Sequence, residues 1–280
     1  MPTTLTPPVT PPRGCDLPYS DGEPLESLWH RAAGDLLLAC LHWHWRGRTD
    51  FFAGANQFFY FDPATARNTN FRGPDFYVVK GVSHEPIRRS WVVWEEGGRV
   101  PNVIVELLSE STADEDRVAK RRVYLEQLDV REYYCYDPDG QVLEGWRKGK
   151  RRPVPIKPLG DRLWSEELEL FVGPWDGEVL TYHDTWLRFF DAAGLVVPTE
   201  AEAATARAQA AEARAQAQAA RAQTETVRAE AEAARAQTEA ARAQTEAARA
   251  EAEADRANTA EAEVTKLRAE LDRLKNPPTA

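Results

Sequence analysis

The sequence predicts an α/β domain with a mixed central sheet flanked by helices, followed by a long C-terminal helix. Three observations carry that prediction. A buried strand, a helix and an alternating strand follow one another across residues 102–136, which calls for a parallel pair with a right-handed crossover. Short apolar segments separated by Gly, Pro and Asp surround this unit, as antiparallel neighbours would. From Glu200 onward the chain has no Trp, Tyr, Phe or Gly, and Ala dominates.

The 280 residues therefore divide in three: a Pro-rich leader at 1–24, a folded domain at 25–198, and an Ala-rich helical segment at 199–280. Of the net charge of −10, the last segment carries −3 (12 Lys and Arg against 15 Asp and Glu) and the remainder −7. Neither part is a basic nucleic-acid module by bulk charge, so contact with a polyanion must rely on local patches and on metal. Cys15, Cys40 and Cys135 share no metal-ligand spacing and fit reduced structural thiols. No signal-peptide pattern opens the chain and no apolar run approaches ~18 residues, so a cytoplasmic protein is expected.

In the leader, Pro2, Pro7, Pro8, Pro11 and Pro12 alternate with Thr and suggest a polyproline or disordered segment. Over residues 25–45, Leu25, Leu28, Trp29, Ala32, Leu36, Leu37, Cys40 and Leu41 recur at helical steps, predicting an amphipathic helix. His42 and His44 lie at its end, spaced so that their rings diverge. Strands are expected at 51–52, 57–61, 75–79 and 91–94, with turn signals at Asp62-Pro63 and Gly73-Pro74.

The stretch 102–109 is the centre of the reading. Val103, Ile104, Val105, Leu107 and Leu108 form a short apolar run after Pro101, as in a strand buried on both faces. Glu106 sits inside it, and a charge there is costly unless a basic side chain or a metal ion pairs with it. Thr112-x-x-Glu115 is a capping box, opening a helix to about Leu128 with Val118, Val123 or Tyr124, Leu125 and Leu128 turned inward. Asp116, Lys120 and Tyr124 are four apart and share one face. A strand follows at 130–136, and segments at 142–146, 154–156, 168–172 and 186–190 read as an antiparallel extension of the sheet. Beyond residue 200, Arg recurs every seven residues from Arg207 to Arg256, the repeat of a coiled coil. Its seam is mostly Ala until Val264, Leu267, Leu271 and Leu274.

Asp75, Glu106 and Lys120 form the constellation that can do chemistry. Two acids on separate strands make a hard, incomplete oxygen cage suited to Mg²⁺, with Mn²⁺ as a substitute. Such an ion polarises a phosphodiester and acidifies water. The lysine, two turns into the next helix, points back toward the strand end and is able to orient that water. The rival reading of Glu106 is a structural ion pair with Lys120 or Arg121. A glycosidase reading lacks a recognisable acid pair.

These motifs also resemble a family. Gly73-Pro74-Asp75-Phe76, the run from Pro101 to Thr112 around Glu106, Asp116-x-x-x-Lys120-x-x-x-Tyr124, and Val130 to Tyr134 with Asp137-Pro138 look like the Uma-type putative restriction endonucleases of the PD-(D/E)XK superfamily. The likeness covers roughly residues 25–190. It implies a restriction-endonuclease-like core and metal-dependent cleavage of DNA, and a homo-oligomer formed through the core or the C-terminal helix is expected beside it. Asp75 matches the motif aspartate and Glu106 its second acid, with the Leu107 carbonyl as a further metal donor and Asp116 and Tyr124 in support. The superfamily lysine would fall at Leu108, and Lys120 stands in the displaced position. A nuclease-like fold that binds or assembles through its coiled tail without turnover is the alternative.

Overall fold

A computed structural model describes residues 10–19, 27–66, 71–109 and 115–275, the side chains of 115 and 273–275 excepted. The chain divides into two units, Met1–Thr205 and Ala206–Ala280. The Thr112-x-x-Glu115 capping box and most of the Pro-rich leader lie outside the described residues.

Helix α1 spans Leu28–His44, and its N-cap Ser27 accepts a hydrogen bond from the His30 amide. A hydroxyl at that position satisfies one of the amides a helix start leaves unpaired. Ala32, Leu36, Leu37, Cys40 and Leu41 are buried on its inner face. Leu28, expected inside, is 54% exposed, because it occupies the first turn, before the helix reaches the sheet. Gly34 lets α1 approach closely: a Cβ there would stand 3.1 Å from the Asp75 carbonyl oxygen.

The central sheet is mixed, in the order β1-β3-β5-β6-β7-β8. Its strands are β1 (Phe51–Ala55), β3 (Phe76–Lys80), β5 (Val103–Leu107), β6 (Glu132–Asp137), β7 (Val142–Arg147) and β8 (Val154–Pro155). Only β5 and β6 run parallel; the other pairs are antiparallel. A parallel pair needs a crossover, and the helical segment between β5 and β6 supplies it. A separate parallel pair joins β2 (Phe59–Tyr60) to β4 (Trp91–Val92).

The segments after β8 do not extend this sheet as expected. Four of them, β9 (Pro158–Leu159), β10 (Arg162–Ser165), β11 (Leu170–Val179) and β12 (Tyr182–Phe190), build an antiparallel sheet of their own. Pro155 and Pro158 lack the amide that a further ladder would need, so β8 becomes an edge. Glu132 on β6 stitches the sheets together. It accepts from Tyr134 Oη at 3.0 Å, Arg147 Nε at 3.1 Å, the Glu166 amide at 2.8 Å and the Ser165 hydroxyl on β10.

Strand alternation sorts the core onto two faces. Val103, Val105 and Leu107 pack with α1, the second sheet, Phe76 and Tyr134. Ile104 faces the other way, into a cluster with Tyr77, Tyr133, Cys135, Tyr124 and Leu125. Glu106, two residues from Ile104, opens onto that second face.

The crossover helix runs over residues 115–127 and is wound mostly as π-helix, in Glu115–Lys120 and Val123–Gln127. Tyr124 and Leu125 are buried as expected, but Val118 is 63% exposed. Position 118 is two residues from Asp116, on the opposite side of the helix, and it is the Asp116 side that turns to the sheet. Such widened turns are rare and concentrate at functional sites.

In the second unit, α2 (Glu200–Lys275, beginning in the first unit) is one continuous helix. Its described side chains beyond Ala206 are exposed, Val264, Leu267 and Leu271 included. Arg228 pairs with Glu232 at 3.2 Å along the helix, one of the four-residue pairs that support a helix without a core. Among the described residues, no helix is long and apolar enough to cross a membrane.

Candidate active site

The β3–β5 register pairs Phe76 with Val105 and Tyr77 with Ile104. One further step along the same register sets Asp75 across from Glu106. Residues directly opposite in an antiparallel pair share a face, so both carboxylates belong to the face covered by the crossover helix. Asp75 is fixed by its Oδ2, which accepts the Leu107 backbone N–H at 2.7 Å. The residue after Glu106 thus ties the two strand ends together.

Glu106 is 1% exposed and is approached from the helix by two side chains. Tyr124 donates its hydroxyl to Glu106 Oε1 at 3.2 Å, and Lys120 Nζ lies 3.5 Å from the same oxygen. Lys120 is closer still to Asp116 Oδ1, with which it forms an ion pair at 2.6 Å. Asp116 is itself buried, and its backbone carbonyl accepts the Tyr133 hydroxyl at 2.9 Å. Asp75, Glu106, Asp116, Lys120 and Tyr124, with Leu107 beside them, are therefore gathered at one end of β5. Arg121, the other basic candidate for Glu106, stacks over Trp146 instead, its guanidinium carbon 4.6 Å from the ring centroid.

The electrostatics follow from three acids facing one ammonium. Burial pushes the Glu106 carboxyl well above its usual range; Lys120 pulls it back, while Asp75 and Asp116 push it further up. Asp75 is pushed up to about 6, chiefly by burial, against the Leu107 amide and the Lys120 charge. Burial works against the charged form of Lys120, but Glu106 and Asp116 outweigh it and hold its pKa above the usual lysine value. The Tyr124 hydroxyl is pushed well up by burial and by Glu106, so it remains a donor at neutral pH.

The donor chemistry fits a hard divalent ion. Asp75 and Glu106 offer carboxylate oxygens from adjacent strands, in a pocket whose acids exceed its single ammonium. Among the described residues, no group of three His, Cys, Asp or Glu side chains is disposed to hold a metal ion. Two carboxylates leave the rest of the shell to backbone oxygen and water, as Mg²⁺ sites usually do. Leu108, at the usual lysine position, is buried in the apolar cluster and has no part in this chemistry.

Two neighbours have no role at the site in the sequence reading. His30, at the start of α1, acts on Asp75 electrostatically and tends to lower its pKa. The signal was the Ser27-x-x-His30 spacing, where the Ser27 hydroxyl lies 2.8 Å from His30 Nδ1. Tyr133 is buried, and its hydroxyl, donating to the Asp116 carbonyl, anchors the start of the crossover helix.

No curated protein matches the chain. Among solved structures, the chain is similar to a crystal structure, titled as a putative nuclease belonging to DUF820, from Anabaena variabilis ATCC 29413. That similarity has 14% identity and a TM-score of 0.36, and covers 50% of this chain and 79% of the other. Residues 8–173 match the Uma2 family, described as "Putative restriction endonuclease". That match takes in β1 to β11's first residues and every side chain of the site, and the chain belongs to the Uma2 family.

Proposed function

We propose that the domain is a divalent-metal-dependent endonuclease that hydrolyses phosphodiester bonds in DNA, with Mg²⁺ as the ion and Mn²⁺ as a substitute. The observation that carries this reading is the Lys120 ammonium at the end of β5, in ion-pair range of Glu106 and Asp116 and acting electrostatically on Asp75. Asp75 and Glu106 hold the ion, with the Leu107 carbonyl as a third protein donor. When bound, the ion supplies Lewis acidity at the phosphate and a more acidic water. Lys120 orients the attacking water and offsets the charge that develops on the phosphate oxygens. Asp116 holds the Lys120 ammonium in place, and Tyr124 keeps Glu106 turned toward the pocket. The protein acts in the cytoplasm, and its heptad helix α2 mediates self-association.

Supercoiled plasmid with Mg²⁺ or Mn²⁺ tests the reading, comparing the wild type with Glu106→Gln and Lys120→Met. Nicking by the wild type alone supports it; equal nicking by all three points to a contaminating nuclease and removes the support.

A second reading, a nuclease-like fold that binds nucleic acid without turnover, draws on the apolar Leu108 at the lysine position and on the engagement of Lys120 by Asp116. Duplex binding by a wild type that never nicks would favour it.

A further inference from the structure

Arg72 stands three residues before Asp75. Its backbone is pinned to β2 in an antiparallel bridge: the Phe59 amide donates to the Arg72 carbonyl at 2.7 Å, and the Arg72 amide donates to the Phe59 carbonyl at 3.1 Å. The guanidinium carbon lies 6.0 Å from the centroid of the Phe61 ring, and Phe61 packs on the same apolar cluster as Tyr124. Arg72 is therefore on the face of the sheet that carries Glu106 and the crossover helix. Its charge reaches the Tyr124 hydroxyl that donates to Glu106.

Among the described residues, this guanidinium has no anionic partner. One terminal nitrogen donates to the Phe71 carbonyl at 3.1 Å, and the buried Nε has no hydrogen-bond partner among the described residues. No carboxylate among the described residues forms an ion pair with it. Other basic groups nearby are committed, Lys120 to Asp116 and Arg117 to Glu144 and Asp137. A partly buried arginine without a counter-ion, beside a cluster of acids, is the arrangement a phosphate oxygen completes. The guanidinium fork suits that oxygen, and the acids alone would repel it.

We propose that Arg72 is a phosphate-binding residue of this site, gripping a non-bridging oxygen of the DNA backbone. The proposal rests on the nuclease reading above for the identity of the polyanion. It also answers the charge problem posed by a domain that is acidic in bulk, since one unpaired cation at the pocket provides the local attraction that net charge does not.

The test is binding of a short DNA duplex by the full chain in Ca²⁺, measured across a salt series, with plasmid nicking in Mg²⁺ run beside it. Arg72→Gln is expected to weaken binding about tenfold or more and to reduce the steepness of log K against log salt by about 0.9, the loss of one phosphate contact. Arg72→Lys keeps the charge and loses the fork, so affinity falls while the slope is retained; it also carries the test if Arg72→Gln fails to fold. Unchanged affinity and slope in the variants, with a wild type that nicks, overturns the role of Arg72 and leaves the nuclease reading standing. A wild type that binds in an Arg72-dependent way and never nicks does the reverse. A wild type that binds no duplex overturns the Arg72 proposal outright.

Discussion

Lys120 Nζ lies 3.5 Å from Glu106 Oε1, bridging a helix and a strand that meet at the end of β5. The lysine is the ammonium between carboxylates that would otherwise face one another in a buried pocket. Lys120→Met should therefore cost roughly 3 kcal/mol of folding stability, the size expected when one partner of a buried ion pair is removed. Thermal and urea unfolding measure this. Adding Glu106→Gln should recover part of the loss; a double variant no more stable than the single one contradicts the pairing.

The raised carboxyls also predict how stability depends on pH. Asp75 at about 6 and Glu106 well above its usual range both bind protons more tightly in the folded chain than in the unfolded one. Stability from these groups is thus present below the unfolded pKa values and is lost as pH rises toward the folded ones. For Asp75 the decline runs from about pH 4 to about pH 6. Without divalent ions, unfolding midpoints of the wild type should fall across that window more than those of Asp75→Asn. Identical slopes would show that Asp75 titrates normally.

Tyr124→Phe removes one hydroxyl and keeps the ring in the core. Losing a hydrogen bond to a charged acceptor should cost about 1.5–3 kcal/mol. Because that bond lowers the Glu106 pKa, its removal raises it further. The acid limb of the nicking profile should then move to higher pH, which a pH–rate series detects. A profile that drops uniformly without shifting would place Tyr124 outside the electrostatics of the site.

Glu132 serves as the contrasting case, a buried acid whose partners are all structural. Glu132→Ala removes the acceptor of the Tyr134 and Ser165 hydroxyls and of the Glu166 amide, leaves Arg147 only Glu166 and the Trp164 carbonyl, and should destabilise the domain by roughly 3 kcal/mol. The fraction that stays folded should nick plasmid at the wild-type rate. A selective loss of rate at full folding would connect the second sheet to catalysis.

A chain ending at Thr205 keeps the Arg188–Glu202 ion pair at 2.9 Å, the contact that fastens the start of α2 to β12. Its melting transition should match that of the folded domain in the full chain, followed by near-ultraviolet circular dichroism. Aggregation of the shortened chain would mean that residues 206–280 are needed for the domain to fold.

How much of this was legible in the sequence differs by element. The parallel β5–β6 pair follows from a strand, helix and strand in succession, because only a crossover closes that unit. The meeting of Asp116, Lys120 and Tyr124 with Glu106 was legible as well, since four-residue spacing fixes a face and Glu106 fixes the strand it must meet. The inward side of the crossover helix was partly misread at Val118, where apolar identity suggested burial and the polar face won. The second sheet was not legible: whether β9–β12 extend the first sheet depends on Pro155 and Pro158 at an edge, not on the pattern of the strands themselves. Asp75 held by the Leu107 amide was also beyond reach, because a backbone donor leaves no trace in side-chain spacing.

The central claim is that Asp75 and Glu106 together hold a divalent ion. Calorimetric titration of the full chain with Mn²⁺ tests it most directly, comparing the wild type with Asp75→Asn and Glu106→Gln. One site in the wild type, lost in both variants while their folds persist, is the result the account predicts. Equal uptake by all three proteins, or none by any, would contradict it.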